Sequence, residues 1–172
     1  SNVMMAAAIV QGLCKDEDIV QVAKTFGGVE HRIEFVRELD GVRYYNDSIA
    51  SSPTRTIAGL NSFAQKLILI AGGYDKHIPY DVLGEPICQH VKTLLLTGAT
   101  APKIRACVEQ AAGSEKPEII DVPDLAAAVR TANAIAQPGD VVILSPASAS
   151  FDCFRNFMER GERFKELVHG LT

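Results

Sequence analysis

Three segments of the chain combine hydroxyl groups, a cation or small residues in a way that suits the binding of an anion. The first is 46–53 (NDSIASSP), where hydroxyls precede a proline at the expected start of a helix, and free backbone N–H groups there bind carboxylates and phosphates. The second is 71–77 (AGGYDKH), which places Lys76 after a glycine-rich turn, where its charge could pair with a substrate carboxylate. The third is 145–152 (SPASASFD), whose small residues would let backbone amides approach a ligand.

Each of these segments also has a purely structural interpretation. The first could be a helix start that is capped by Ser51 or Ser52, and the second could be a surface turn. The third could be a tight connection in which Ser150 or Asp152 caps the next helix. The residue pattern alone leaves these alternatives open.

Other kinds of site do not fit the sequence. The P-loop pattern G-x-x-x-x-G-K-[ST] does not occur, no G-x-G-x-x-G fingerprint follows a strand, and no cluster of His, Cys and carboxylates indicates a metal site. Ser148 lacks the flanking glycines of a G-x-S-x-G nucleophile elbow, which argues against serine-hydrolase chemistry. The four cysteines, Cys14, Cys88, Cys107 and Cys153, are far apart, and we expect them to be reduced thiols.

The hydrophobic pattern predicts the elements that position these segments. Two helices, over 4–13 and 19–26, open the chain, and a β-hairpin follows with strands at 32–36 and 42–46. Short apolar runs then alternate with helical stretches, with strands at 67–71, 93–97, 118–122 and 141–145 and helices at 54–63, 80–89, 101–111, 125–136 and about 152–168. This alternation predicts a doubly wound, Rossmann-like α/β fold, whose mostly parallel sheet is flanked by helices and preceded by the β-hairpin and the two appended helices.

Ligands of such sheets bind beyond the carboxyl ends of the strands. The three segments follow strand ends, and so does a fourth, 97–100 (TGAT). We therefore expect all four to lie on one rim of the sheet.

Composition argues against two classes of partner. The formal charge is −4, and 17 basic and 21 acidic residues are spread along the 172 residues, so no basic stripe could follow a nucleic acid backbone. The apolar run 3–10 is too short to span a bilayer and lacks a basic flank and a cleavage site. With reduced thiols, this indicates a cytoplasmic protein.

In order and spacing, the three segments resemble the C-terminal domain of the Mur ligase family. The resemblance rests on YNDSIASSPT (45–54), GGYDK (72–76) and LSPASASFD (144–152), and it extends from about His31 to the end of the chain. The Asn-Asp-Ser form of the first stretch is most similar to the family members that add D-glutamate. The resemblance implies that 1–28 are the closing helices of a central ATPase domain and that 29–172 form the C-terminal substrate-binding domain.

The resemblance also implies the reaction of the complete, three-domain enzyme. ATP would phosphorylate the terminal carboxylate of UDP-N-acetylmuramoyl-L-alanine, and the amine of D-glutamate would attack the acyl phosphate, with Mg²⁺ offsetting phosphate charge. The family's P-loop, magnesium ligands and modified lysine belong to the central domain. We therefore expect this chain to contain no catalytic residue, to bind no cofactor tightly and to be inactive without the N-terminal and central domains.

Five residues of this chain match the D-glutamate site of the family. The resemblance implies that Ser51, Lys76, Ser150 and Phe157 line the site and that Phe151 adds backbone contacts. Lys76 would pair with a carboxylate, while the hydroxyls fix the rest of the molecule. Ser51 stands where many members have threonine, so it keeps the donor and loses a methyl group.

Three further residues match contacts to ATP. Arg32 would lie near the phosphates, and Asp47 would accept hydrogen bonds from the ribose hydroxyls. Asn2 would contact the adenine, unless Ser1-Asn2 is a cloning remnant.

A protein of another class could have the same fold and the same rim suited to anion binding. This alternative is a non-catalytic, doubly wound binding module for a small anionic ligand. It predicts a complete site, and hence tight binding, without partner domains. A nucleotide-dependent oxidoreductase is disfavoured because the glycine fingerprint is absent.

Overall fold

A computed structural model describes residues 2–112 and 115–172, and the side chains from residue 4 onward. Within these residues one six-stranded sheet has helices on both of its faces. The strands are β1 (Glu34–Leu39), β2 (Val42–Asn46), β3 (Leu67–Gly72), β4 (Val91–Thr97), β5 (Glu118–Asp121) and β6 (Val141–Leu144). The helices are α1 (Asn2–Val10), α2 (Asp16–Thr25), α3 (Pro53–Leu60), α4 (Gly84–His90), α5 (Ala101–Gln110), α6 (Leu125–Ile135) and α7 (Phe157–His169), with a 3₁₀ turn (Asp81–Leu83) before α4.

The strand order is β1-β2-β6-β3-β4-β5. The hairpin strand β1 is antiparallel to β2, and every other neighbouring pair is parallel. The chain passes outward from β3 to β4 and β5 and then returns over α6 to β6, on the other side of β3. The predicted doubly wound, mostly parallel sheet is therefore confirmed, and its strand order reverses between β3 and β6.

The strands at the centre of the sheet are buried on both faces, because their apolar side chains alternate between two cores. All six residues of β3 are buried. Leu67 and Leu69 pack into the core that contains α3, α4 and α5, whereas Ile68 and Ile70 pack into the core that contains α6 and α7. This double burial fixes the register of β3 and hence the place where the glycine-rich turn leaves the sheet.

Most element boundaries differ from the prediction by a few residues, and two of the differences have a clear local cause. The last helix begins at Phe157 and not near 152, because the side chain of Asn156 accepts a hydrogen bond from the backbone N–H of Glu159 (2.9 Å) and caps it. Neither Ser150 nor Asp152 is its cap. Strand β1 begins at Glu34 and not at 32, since His31 (φ 61°) and Ile33 (φ 48°) have left-handed backbones that a strand excludes.

The two N-terminal helices and the residues that follow each of them leave apolar side chains in solvent. Residues Met4, Ile9, Leu13 and Phe26 are 62–83% exposed, and α2 has no buried residue. In the part of the chain that the structure describes, no helix has the length and apolar character needed to cross a membrane. All four cysteines are free.

Candidate functional site

The carboxyl ends of the parallel strands bring all four polar segments to one rim, as predicted. The backbone N–H of Gly72 donates to Pro146 (2.8 Å), and that of Tyr74 donates to Ala149 (2.9 Å), so the 71–77 and 145–152 segments run side by side. The backbone N–H of Thr100 donates to Gly73 (3.1 Å) and adds the 97–100 segment. These bonds join the segments on either side of the point where the strand order reverses, where doubly wound sheets bind ligands.

A chain of hydroxyl groups lies beneath this part of the rim. Thr100 Oγ1 is 2.8 Å from Ser148 Oγ, which is 2.9 Å from Tyr80 Oη, and Thr100 Oγ1 also accepts from the N–H of Gly73 (3.1 Å). All three hydroxyl residues are buried. Ser148 therefore stabilises the rim through its hydrogen bonds to Thr100 and Tyr80.

The five residues expected to bind D-glutamate all lie on rim segments or at the start of α7. Lys76 and Phe151 are exposed, Ser51 and Phe157 are half-buried, and Ser150 is buried. The contact between Tyr74 and Ala149 joins the segment of Lys76 to that of Ser150. Ser48 Oγ donates to the carbonyl of Phe157 (2.7 Å), which attaches the segment of Ser51 to α7.

Arg160, which the sequence did not single out, connects two rim segments. Its Nε and Nη2 donate to Ser48 Oγ (3.0 Å) and to the Ser48 carbonyl (2.9 Å), and its Nη1 donates to the carbonyls of Ser148 and Ala149 (3.1 Å each). Only 4% of Arg160 is exposed, and this burial lowers the pKa of its guanidinium to about 10, so it stays charged at neutral pH. The sequence feature that could have identified Arg160 is its position on the apolar face of α7, four residues before Phe164.

Arg32 and Asp47, which were expected to contact ATP, share a separate cleft of about 370 Å³ beside α3. A second arginine, Arg55, lines the same cleft, and its Nη1 donates to the carbonyl of Ile49 (3.3 Å). A side chain at Gly59 would block the cleft floor, because its Cβ would lie 2.8 Å from Asp47 Oδ2. Two cations and one carboxylate therefore line a space that is open enough for a polar ligand.

Asp47 is held at the bottom of this cleft. Its carboxylate accepts hydrogen bonds from Ser145 Oγ (2.7 Å) and from the N–H of Ile33 (3.3 Å), and only 3% of the residue is exposed. Burial raises the pKa of Asp47 to about 6, against the opposing effects of these bonds and of Arg32 and Arg55. At pH 7.5 the group is thus ionised and can accept hydrogen bonds from hydroxyls.

Comparison with known proteins identifies the family. Residues 31–148 match the family model described as "Mur ligase, glutamate ligase domain". The chain belongs to the Mur ligase family.

Two curated relatives of this Mur ligase domain carry the same name. The chain is 58% identical to the UDP-N-acetylmuramoylalanine–D-glutamate ligase of Acetivibrio thermocellus, over 99% of this chain and 37% of that protein. It is 52% identical to the ligase of the same name from Clostridium acetobutylicum, over the same shares. The chain thus spans 37% of the length of these two relatives.

Solved structures of more distant proteins share the fold. The pseudomurein peptide ligase type C from Methanothermus fervidus superposes with a TM-score of 0.64 at 13% identity, over 97% of this chain and 34% of that one. The bifunctional folylpolyglutamate synthase/dihydrofolate synthase from Yersinia pestis, complexed with AMPPNP and Mn ion, gives a TM-score of 0.60 at 20% identity, over 89% and 34%. At these identities the likeness concerns the fold alone.

A buried histidine of the Mur ligase domain, also missed by the sequence analysis, anchors the 46–53 segment. The side-chain amide of Asn46 donates to His31 Nδ1 (2.9 Å) and to Glu34 Oε2 (3.0 Å), and its oxygen accepts from the N–H of Ser48 (3.1 Å). The Nε2 of His31 lies 3.6 Å from Glu162 Oε1. The left-handed backbone at His31 is therefore held by side-chain contacts that only the folded chain can provide.

The carboxylates around His31 form an ion-pair network. Glu30, His31 and Glu162 are close enough to share a metal ion, but Lys165 Nζ lies 2.8 Å from both Glu30 and Glu162. The ammonium group of Lys165 already pairs with both of the carboxylates that a metal would need. We therefore assign the cluster a structural role.

We expect the buried carboxylate of Asp47 to make stability depend on pH. Its pKa is about 6 in the folded chain and 3.8 in a model compound, so between these values the folded state binds more protons and becomes less stable as pH rises. Asp47→Asn lacks this titration. The free energy of unfolding of Asp47→Asn minus that of wild type should therefore increase by about 1–3 kcal/mol between pH 4 and pH 7.5. Urea denaturation of both proteins at both pH values measures this difference. A difference that stays constant with pH would contradict the raised pKa.

Proposed function

We propose that this chain is the C-terminal domain of an ATP-dependent ligase that adds D-glutamate to UDP-N-acetylmuramoyl-L-alanine, in bacterial peptidoglycan synthesis in the cytoplasm. The observation that carries the proposal is the 58% identity to a ligase of that name over 99% of the chain. This assignment has a physical basis in the exposed Lys76, in the hydroxyl groups of the rim and in the cleft that Arg32 and Arg55 line.

The proposed domain division places 1–28 at the end of the central ATPase domain and 29–172 in the C-terminal domain. The exposed apolar side chains of α1, of α2 and of the residues that follow them, such as Leu13 (83% exposed) and Phe26 (62% exposed), support this division. Burying such side chains against a partner is favourable by about 1.5–3 kcal/mol each. In our proposal their partner is the rest of the central domain.

The proposed D-glutamate site consists of Lys76, Ser51, Ser150 and Phe157, with backbone contacts from Phe151. Lys76 suits this role because it is an exposed residue of the rim and has no ion-pair partner within the described residues. A charge-assisted hydrogen bond to a carboxylate is about twice as strong as a neutral one. Lys76 would bind one carboxylate of D-glutamate, and the serines would orient the molecule so that its amine faces the activated precursor.

The proposed nucleotide contacts are Arg32 and Asp47, to which the cleft adds Arg55. The residues fit a nucleotide, since two guanidinium groups can bind phosphates and the ionised Asp47 can accept hydrogen bonds from ribose hydroxyls. When bound, ATP supplies the phosphoryl group that activates the precursor, and Mg²⁺ offsets phosphate charge. We place the magnesium ligands in the central domain. Asn2 stays a candidate adenine contact, although its side chain is outside the described residues.

We expect replacement of Lys76 to weaken D-glutamate binding selectively. In the complete ligase, Lys76→Met should raise the KM for D-glutamate by about 10–100-fold, because a charge-assisted bond contributes about 1.5–3 kcal/mol. The KM for ATP should change by less than about twofold. The matched control is Lys66→Met, which removes an exposed lysine at the opposite, amino end of β3, where Lys66 pairs with Glu115. Equal effects of the two substitutions on D-glutamate would contradict the proposed site.

Experiments on the isolated chain test whether tight binding and ligation require the other domains. Titration with D-glutamate, L-glutamate and ATP at millimolar concentrations should give weak, D-selective NMR shifts at Ser51, Lys76 and Ser150, with no ligation or ATP hydrolysis. A half-site without its partner domains cannot bind tightly. Tight, saturable binding of another small anion would instead identify a self-sufficient binding module, and ligation by the chain alone would refute its dependence on other domains.

A further inference from the structure

The turn that presents Lys76 is fixed immediately before and after this residue. Before it, Gly73 and Tyr74 are bonded to Thr100 and Ala149. The neighbouring Asp75 closes the turn, because its Oδ1 accepts from the backbone N–H of His77 (2.8 Å). Lys76 thus has a restrained backbone, while its own ammonium group has no hydrogen-bond partner within the described residues.

Asp75 also ties this turn to a helix. Its Oδ2 lies 2.6 Å from Nζ of Lys103, in the first turn of α5, and 3.5 Å from Nδ1 of His77. The side chain of Asp75 is 17% exposed and that of Lys103 is 45% exposed. Helix α5 is a firm attachment, since Ile104 and Val108 are fully buried in the core beneath it.

We propose that Asp75 and Lys103 are positioning residues for the D-glutamate site, whose ion pair holds the turn so that the ammonium group of Lys76 meets the substrate carboxylate. The inference rests on the proposed function, because it deepens the role assigned to Lys76. Neither residue touches the substrate in this arrangement. Both act by fixing the orientation of Lys76.

The ion pair between Asp75 and Lys103, called the clamp below, is needed because of the backbone conformation at the end of the turn. His77 has a left-handed conformation (φ 58°), which is unfavourable for a residue with a side chain and persists only where surrounding contacts hold it. A lysine side chain is also flexible, so a fixed backbone reduces the freedom that is lost when it binds a ligand. The ion pair thus stabilises the geometry before the substrate arrives.

A positioning role can be distinguished from a simple effect of charge. If the two residues acted only through their electric field, removing the negative charge of Asp75 would strengthen binding of an anionic substrate, and removing the positive charge of Lys103 would weaken it. If they act as a clamp, either change breaks the same ion pair, and both changes weaken binding. The signs of the two effects therefore decide between the mechanisms.

The test uses Asp75→Asn and Lys103→Met, singly and together, in the complete ligase. Asparagine keeps an acceptor for the N–H of His77, so the change removes the ion pair and leaves the local turn. We expect each single variant to raise the KM for D-glutamate about three- to tenfold, and the double variant to match the single ones, because both remove one interaction. The kcat at saturating D-glutamate, the KM for ATP and the melting temperature should stay near wild type. Lys103→Arg, which restores an ion pair, should recover the wild-type KM.

Two results would overturn the clamp. One is opposite effects of the single variants on the KM for D-glutamate, which would show an electrostatic field or a direct contact of Lys103 with substrate. The other is unchanged KM values in both variants while Lys76→Met still raises it. An ineffective Lys76→Met would instead refute the proposed D-glutamate site itself, so the two failures are separable.

Discussion

Replacing Arg160 with leucine is expected to lower the free energy of unfolding of this chain by about 3–5 kcal/mol, the cost typical of removing one partner from a buried charged network. The substitution removes four hydrogen bonds, one to Ser48 Oγ and three to the carbonyls of Ser48, Ser148 and Ala149, which then lack this donor in a buried region. The cost of burying the guanidinium, visible in its lowered pKa, offsets part of the loss. Urea denaturation at pH 7.5 measures the change.

Two further variants test whether the cross-link between segments is the cause. Arg130→Leu removes an exposed arginine of α6 and should change stability by less than about 0.5 kcal/mol. Arg160→Lys keeps the charge but not the planar arrangement of donors, so it should fall between leucine and wild type. A cost below about 1 kcal/mol for Arg160→Leu would show that the 46–53 and 145–152 segments are held together by other contacts.

Gly72→Ala should be comparably damaging, by about 3 kcal/mol or more, for a backbone reason. Gly72 has φ 109°, and a Cβ at this position would lie 1.9 Å from the carbonyl oxygen of Thr97 in the paired strand β4. That oxygen belongs to the sheet backbone and cannot rotate away, so the strands must separate locally. Thermal and urea unfolding of the isolated chain would measure the loss.

Gly139→Ala is the matched control for this substitution. Gly139 also has a left-handed backbone (φ 97°), but a Cβ there has no neighbouring atom within 4 Å. Its replacement should therefore cost only the conformational strain, about 1–2 kcal/mol. The difference between the two variants isolates the clash with Thr97, and equal costs would refute the close approach of β3 and β4.

Local pattern predicted the sheet because the strands are apolar enough to be unambiguous. The runs 67–71 and 141–144 contain uninterrupted aliphatic residues, and both form central, buried strands. The last helix was predicted to begin near residue 152, five residues too early. The side chain of Asn156 decides that boundary, and apolar periodicity contains no information about caps.

The candidate site was predictable to the extent that it lies at strand ends. Parallel strands place their carboxyl ends together, so polar segments that follow them must share a rim. Arg160 and His31 escaped prediction because each reaches the rim from an element distant in sequence, through contacts with Ser48 and Asn46. Arg55 escaped it as well, since an exposed helical arginine is ordinarily a solvated charge. The ligand roles assigned to individual residues came from family resemblance.

The position of β6 has a consequence for how this chain is synthesised. Residues 141–144 are translated late, yet they form the strand that lies between β2 and β3. Until they leave the ribosome, the hairpin that precedes Asp47 has no sheet to join, and β3 has an open edge. Pairing over such long sequence separations is slow. A nascent chain stopped before residue 141 would therefore lack Ser150 and Phe157 and would keep Asp47 and Lys76 on two unjoined pieces, and translation of β6 is the step that unites them.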